Sequence, residues 1–186
     1  MSKQGLFIQG AGQGAYAADE KLVASLRHLL GPEYEVRYPV MPHEGDADYE
    51  SWKRQIAKEL TALDDPVLLL GHSVGASILL KCITEIDAEK TIIGIFLIAT
   101  PFWGGDGWRY EGFTRLALQN GFAAELPKSA HLFLYHSRDD EIVPFTHLAL
   151  YAQTLPQATI RELDSRGHQL KDDLFEVTED VKSLRF

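Results

Sequence analysis

Residues 67–75 read Val67-Leu68-Leu69-Leu70-Gly71-His72-Ser73-Val74-Gly75, and this stretch decides the fold. Four apolar residues make a buried-strand pattern, a helical pattern begins at about Val74, and Gly-x-Ser-x-Gly stands between them. A strand that turns into a helix at such a pentapeptide forms a nucleophile elbow, a tight turn holding its serine at strained backbone angles. Side chains at the two flanking positions would collide with neighbouring chain, a steric reason for Gly71 and Gly75 to be glycine. The turn lifts the Ser73 hydroxyl clear of the sheet. It also sets that hydroxyl at a helix N-terminus, where unpaired amides and the helix dipole favour negative charge.

Outward from the elbow, strands and helices alternate. Before it, Leu6 to Gln9 is a short apolar strand ended by Gly10, and Ala17 to Leu30 has helical spacing closed by Gly31-Pro32. Tyr34 to Tyr38 is a second strand, 39–48 a loop rich in Pro, Gly and Asp, and Tyr49 to Leu63 a second amphipathic helix. Val67 to Leu70 is then the third strand, followed by a helix from Val74 to Ile86. Thr91 to Ile98 is wholly apolar, as expected for a strand inside a parallel sheet covered on both faces. His131 to Tyr135 and Ala158 to Leu163 are further strands. Helices are expected at Gly112 to Asn120, Phe145 to Thr154 and Leu170 to Leu184. The pattern predicts one α/β domain over residues 1–186, a doubly wound, mostly parallel six-stranded sheet flanked by helices with right-handed crossovers. Sites in such sheets lie beyond the carboxyl ends of the strands, so chemistry is to be sought in the loops that follow strands.

Composition narrows the partners. The chain has 186 residues, a net charge of −9 and no cluster of Lys or Arg, which argues against nucleic acid or an anionic membrane as partner. Cys82 is the single cysteine, so an intrachain disulfide and a cysteine metal cluster are excluded. Its apolar neighbours Ile78, Leu79, Leu80 and Ile83 make it a core thiol. The start of the chain lacks a signal-peptide apolar region and no segment is long enough to span a bilayer, so a cytoplasmic location is the expectation. No ligand cluster calls for a metal, and no cofactor is expected.

A serine hydroxyl becomes a nucleophile when a base takes its proton, and the base needs a carboxylate to orient it. In this architecture the chain order is serine, acid, histidine. The fifth strand is followed by Arg138-Asp139-Asp140-Glu141-Ile142-Val143-Pro144, and the sixth by Asp164-Ser165-Arg166-Gly167-His168-Gln169. His168 sits on a loop between strand and helix, where a base able to reach the elbow belongs. Other histidines fit less well: His28 and His147 fall inside helical patterns, His43 precedes Ser73, and His131 and His136 precede the acids. His72 is held in the elbow with its backbone turning away. Among residues 139–141 the spacing alone leaves the acid open.

Over nearly its whole length, as an order of elements, the chain resembles an α/β-hydrolase. Its small size and the lack of a long cap domain are similar to the compact serine hydrolases typified by the retinoblastoma-binding protein nine family. The resemblance implies an acid four residues before a proline, in Asp-x-x-Val-Pro. Asp140 in Asp140-Glu141-Ile142-Val143-Pro144 fits, and Asp139 falls one place out of register, leaving it a turn residue or a neighbour that caps the next helix.

The tetrahedral oxyanion of acyl transfer needs fixed donors. One is expected from the amide of Val74, directly after the serine, and the second from the loop after the first strand, Gly10-Ala11-Gly12-Gln13-Gly14, at Ala11. Gln9-Gly10 stands where this fold often has His-Gly. The same glycines formally match a dinucleotide fingerprint, Gly10-x-Gly12-x-x-Ala15, but the second strand ends at Tyr38 without the acidic residue that would hold a ribose. Phe102, Trp103 and Trp108, with Tyr110, follow the fourth strand and are expected to overhang Ser73 as an apolar wall for an acyl or alcohol group. The expectation is therefore a metal-free hydrolase of a small ester, thioester or amide, with Ser73, His168 and Asp140 as its triad. An acyltransferase would use the same parts, and an interaction module on the same fold is the third reading. Candidates at all three loops argue against a purely structural role.

Overall fold

The computed structural model describes residues 2–86, 90–109 and 115–185. Six strands, β1 (Lys3–Ile8), β2 (Tyr34–Arg37), β3 (Val67–His72), β4 (Ile92–Ile98), β5 (His131–Ser137) and β6 (Thr159–Leu163), form one sheet in the order β2-β1-β3-β4-β5-β6. Every neighbouring pair is parallel. Five helices cover it: α1 (Ala15–Leu30), α2 (Tyr49–Thr61), α3 (Ser73–Glu85), α4 (Thr146–Thr154) and α5 (Phe175–Ser183).

The two-residue period of the strands divides the core between the faces. Leu6, Ile8, Val67, Leu69, Ile95 and Leu97 point to one side and pack with Trp52 and Ile56 of α2, Ile78, Leu79, Cys82 and Ile83 of α3, and Leu148 and Tyr151 of α4. Phe7, Leu68, Leu70, Phe96 and Ile98 point to the other and pack with Leu22, Val23 and Leu26 of α1 and Val177 and Val181 of α5. With both faces buried, the inner strands are apolar without alternation. Cys82 lies in this core, fully buried. Among the described residues no helix is long and apolar enough to cross a membrane.

Local chemistry sets the ends of the elements. The Asp48 carboxylate caps α2 by accepting the amide of Ser51 at 2.8 Å. Gly31 closes α1 at a φ of 78°, its amide reaching back to the Arg27 carbonyl. The chain runs from β1 out to the edge strand β2 and returns through α2 to β3 on the other side of β1. The strand order therefore reverses between β1 and β3, and a crevice opens at their carboxyl ends. Gly71 pairs with Ile8 on one side and Leu97 on the other, so the elbow emerges in the middle of the sheet beside the glycine loop.

Two expected helices differ. The closing helix begins at Phe175; Leu170, Lys171 and Asp172 form a short 3-10 turn with φ of 45°, 53° and 57°. Left-handed backbone costs about 1–2 kcal/mol per residue. Here it is held by full burial of Leu170 and by the Arg166 guanidinium, which donates to the carbonyls of Leu170 and Asp173. Apolar spacing carries no record of that sign of φ. The expected helix at 112–120 lies partly outside the described residues, as do Tyr110 and Phe113, and 117–120 are non-helical.

A Cβ built on Gly75 would stand 1.8 Å from the Gln9 carbonyl oxygen. Gly75→Ala is expected to force α3 away from β1 and to lower the unfolding free energy by about 3 kcal/mol. Urea unfolding measures this, and an unchanged midpoint would contradict the packing described.

Candidate active site

The loops that follow β1, β3, β4, β5 and β6 line an open cavity of about 390 Å³. Ser73, Val74, Ala11, His168 and Trp108 all line it. Ser73 has a φ of 52°, the left-handed conformation that an elbow imposes on a non-glycine residue. Its neighbours make the turn possible. A Cβ on Gly71 would approach the Ala76 Cα to 2.7 Å, closer than such atoms come. No side chain caps α3, and Val74, in its open first turn, lines the cavity.

In the glycine loop three amides have partners. Gly10 N donates to Asp19 Oδ2 at 2.7 Å, Gly12 N to the Glu44 carbonyl at 2.7 Å, and Gly14 N to Glu44 Oε1 at 2.8 Å. The amide of Ala11, between two occupied ones, has no such partner among the described residues and lines the cavity. Glu44 is the clamp of this loop. Its carboxylate also accepts Tyr16 N and Gln9 Nε2, each at 2.8 Å, and the backbone bonds from Tyr16 and Gly14 hold its carboxyl below the usual range. The amides that a phosphate would seek at the start of α1 are thus occupied by a protein carboxylate. Gln9 completes the clamp by accepting the amide of Met41 at 3.1 Å, and Trp52 anchors the same loop through its indole N–H on the Pro42 carbonyl.

His168 Nδ1 lies 3.0 and 2.9 Å from the two oxygens of Asp140. The Asp140 side chain is fully buried and, besides His168 on both oxygens, accepts three further contacts: His136 Nε2 at 3.1 Å on one oxygen and the amides of Ile142 and Val143 on the other. Burial alone would raise its pKa, but the bonds from His136 and His168 outweigh it and hold the carboxyl far below the carboxylate range. An ionised carboxylate can only accept, so Nδ1 carries the proton and the Nε2 of a neutral His168 ring is left as a base. Burial pushes the His168 pKa down, which favours that neutral ring.

Asp139 points elsewhere. It accepts the hydroxyl of Ser137 and the amide of Gly167, the latter at 2.8 Å. Together with Ser137 Oγ on the amide of Arg166 (2.9 Å) and Glu141 on the amide of His168 (3.1 Å), it completes a ladder. Residues 137, 139 and 141 hold the successive amides of 166, 167 and 168. Asp139 stands in a turn, as expected, and from there it also secures the histidine loop. This ladder, Glu44, Asp19 and the contacts of His72 carry no sequence motif, because each joins segments far apart in the chain.

Of the four rings expected to overhang Ser73, Tyr110 lies outside the described residues and Trp108 lines the cavity. Trp103 is buried behind it, its ring 4.9 Å from that of Trp108 and its N–H on Ser77 Oγ at 2.9 Å. Phe102 packs edge-on against Tyr151, and its amide donates to His147 Nδ1 at 2.9 Å. His147 is a buried side chain bridging Phe102 and the Asp106 carbonyl. Arg109, exposed, donates to the Gly104 carbonyl.

Residues 35–184 match the profile of a family described as serine hydrolase. YdeN of Bacillus subtilis, which carries a general hydrolase description, is 26% identical over 136 residues, 73% of this chain and 70% of that one. The crystal structure of the ydeN gene product superposes with a TM-score of 0.73 at 20% identity, covering 98% of each chain. An esterase domain from a Rhodothermus marinus protein gives 0.68 at 19% identity, over 98% of this chain and 87% of that one. The meta-cleavage product hydrolase CumD of Pseudomonas fluorescens gives 0.67 at 16%, over 97% and 88%. At these identities the structural likeness speaks to the α/β-hydrolase fold alone.

His168 is expected to titrate below pH 6.5, its ordinary value, with Nδ1 protonated in the neutral form. Imidazole nitrogen NMR against pH reads both quantities. A midpoint above 6.5 would contradict the buried geometry.

Proposed function

The chain belongs to the serine hydrolase family, and on that premise we propose that it cleaves a small carboxylic ester, thioester or amide through Ser73, His168 and Asp140. One observation carries the assignment of roles. A histidine with Nδ1 on a buried carboxylate lines the same cavity as a serine in the left-handed turn of an elbow. Ser73 Oγ attacks the acyl carbon and passes its proton to His168 Nε2. Asp140 keeps the ring in the required tautomer and stabilises the imidazolium that forms. The amides of Val74 and Ala11 receive the oxyanion, at about 3–4 kcal/mol of transition-state stabilisation for each donor. His168 then protonates the leaving group, and the acyl–Ser73 ester remains. Water, giving a proton to the same nitrogen, attacks that ester and releases the acid and the free serine. The cavity of about 390 Å³, with Trp108 on its wall, suits a small acyl or alcohol group.

A fluorophosphonate probe is expected to add once to the wild-type protein and not to Ser73→Ala, read by intact mass. A well-folded wild type without an adduct would count against the reading. Asp140→Asn is expected to cost roughly 10⁴-fold in kcat, the scale of a wrong tautomer. Asp139→Asn, which disturbs only the loop ladder, is expected to cost less than about tenfold, on the order of one lost hydrogen bond. Equal losses on a short-chain ester would remove Asp140 from its role. The activity is expected to rise with pH through the His168 pKa, because the neutral ring is the base, with half-maximal activity below pH 6.5 (the direction of the burial shift).

A further inference from the structure

We propose that Asp19 and His72 form a buried ion pair that positions the His168 loop and the glycine loop on the elbow, a pair of positioning residues for the reaction. The proposal rests on the hydrolase reading of the same cavity.

His72, the residue directly before Ser73, has both ring nitrogens engaged. Nδ1 lies 2.9 and 3.0 Å from the two oxygens of Asp19, and Nε2 lies 3.1 Å from the main-chain carbonyl oxygen of His168. A carboxylate and a carbonyl can only accept, so both nitrogens of His72 must donate and the ring must carry a positive charge. The side chains of both partners are 1% exposed. A neutral ring would turn a lone pair toward one of the two oxygens, at the cost of a buried unpaired acceptor.

Asp19 reaches further. From the second turn of α1 it accepts the amide of Gly10 at 2.7 Å and Gln169 Nε2 at 3.1 Å. One carboxylate thus touches the glycine loop after β1, the elbow after β3, and the residue following His168 after β6. Gly10 sits close against the pair: a Cβ there would come within 3.3 Å of Ser73 Cβ, a tight approach, and into ordinary contact with His72 Nδ1 at 3.5 Å and Asp19 Oδ2 at 3.6 Å. The groups that face the His72 charge are Asp19 from α1, the His168 ring 4.8 Å away on the loop after β6, and Asp140 at longer range from the loop after β5. Burial disfavours the charge on His72, yet Asp19 raises its pKa, and that charge in turn adds to the burial that lowers the pKa of His168.

The pair therefore has two effects. It ties the main chain of the base to the residue preceding the nucleophile, and it helps keep His168 neutral. Asp19→Asn preserves the shape and removes the charge that holds the second proton on His72. The fluorophosphonate inactivation rate is expected to fall about 10- to 100-fold, the scale of a misplaced catalytic group, with the probe's binding constant unchanged. The acid limb of the rate is expected to move up in pH, because a neutral His72 no longer opposes protonation of His168. Imidazole nitrogen NMR of the Ser73→Ala protein is expected to show His72 doubly protonated at pH 7. A folded Asp19→Asn protein that is labelled at the wild-type rate with an unmoved limb would overturn the positioning role and leave the hydrolase reading standing. If Asp19→Asn does not fold, the NMR decides: two protonated nitrogens sustain the pair, and one overturns it. A folded wild type that no fluorophosphonate labels would end the hydrolase reading and the positioning role together, a result distinct from either of the others.

Discussion

The arrangement depends on the contact between the first turn of α3 and the end of β1. Gly75 leaves no room for even a methyl group against the Gln9 carbonyl, so the helix that follows the serine is seated directly on the strand that precedes the glycine loop. This close approach brings the Val74 amide and the Ala11 amide to one cavity, and it is possible only because two glycines flank a residue in the left-handed conformation. Main-chain strain at Ser73, of order 1–3 kcal/mol, is carried by the sheet on both sides of β3.

Around that contact, loops without regular structure are held by side chains acting on main-chain amides. Glu44 takes two amides of the segment around Gly14 and a side-chain amide of Gln9; Asp19 takes Gly10; residues 137, 139 and 141 take those of 166 to 168. Loop amides must find partners when they are buried, and here most of the partners are carboxylates, whose bonds are stronger than neutral ones. Ala11, which lines the cavity, takes no part in this bonding among the described residues. A left-handed run at Leu170 to Asp172 completes the histidine loop, held down by Arg166 and by the burial of Leu170.

Much of this was legible in the residues themselves. The elbow could be read because its requirement is local: an apolar strand, two glycines and a serine within nine positions. The strands could be read because both faces of a parallel sheet are buried, which makes β3 and β4 continuous apolar runs. The sequence puts His168 in a loop after a strand, and the structure sets its ring against Asp140, the residue in the Asp-x-x-Val-Pro register. The wall of aromatic rings was legible only as a composition. That Trp108 faces the cavity while Trp103 and Phe102 pack behind it follows from which way each ring turns, and aromatic spacing in an irregular segment does not carry that.

By itself the sequence determined the α/β order, the elbow at Ser73 and the loops in which a base and an acid belong, because each of these is set by interactions within a few residues or by the burial period of an element. Only the tertiary structure decided that His72 is paired with Asp19, that Glu44 clamps the glycine loop, and that Asp139 holds the amide of Gly167 in the histidine loop. Those bonds join positions 28 to 96 residues apart. Their partners are chosen by where the strands end in space, a property of the assembled sheet rather than of any one segment.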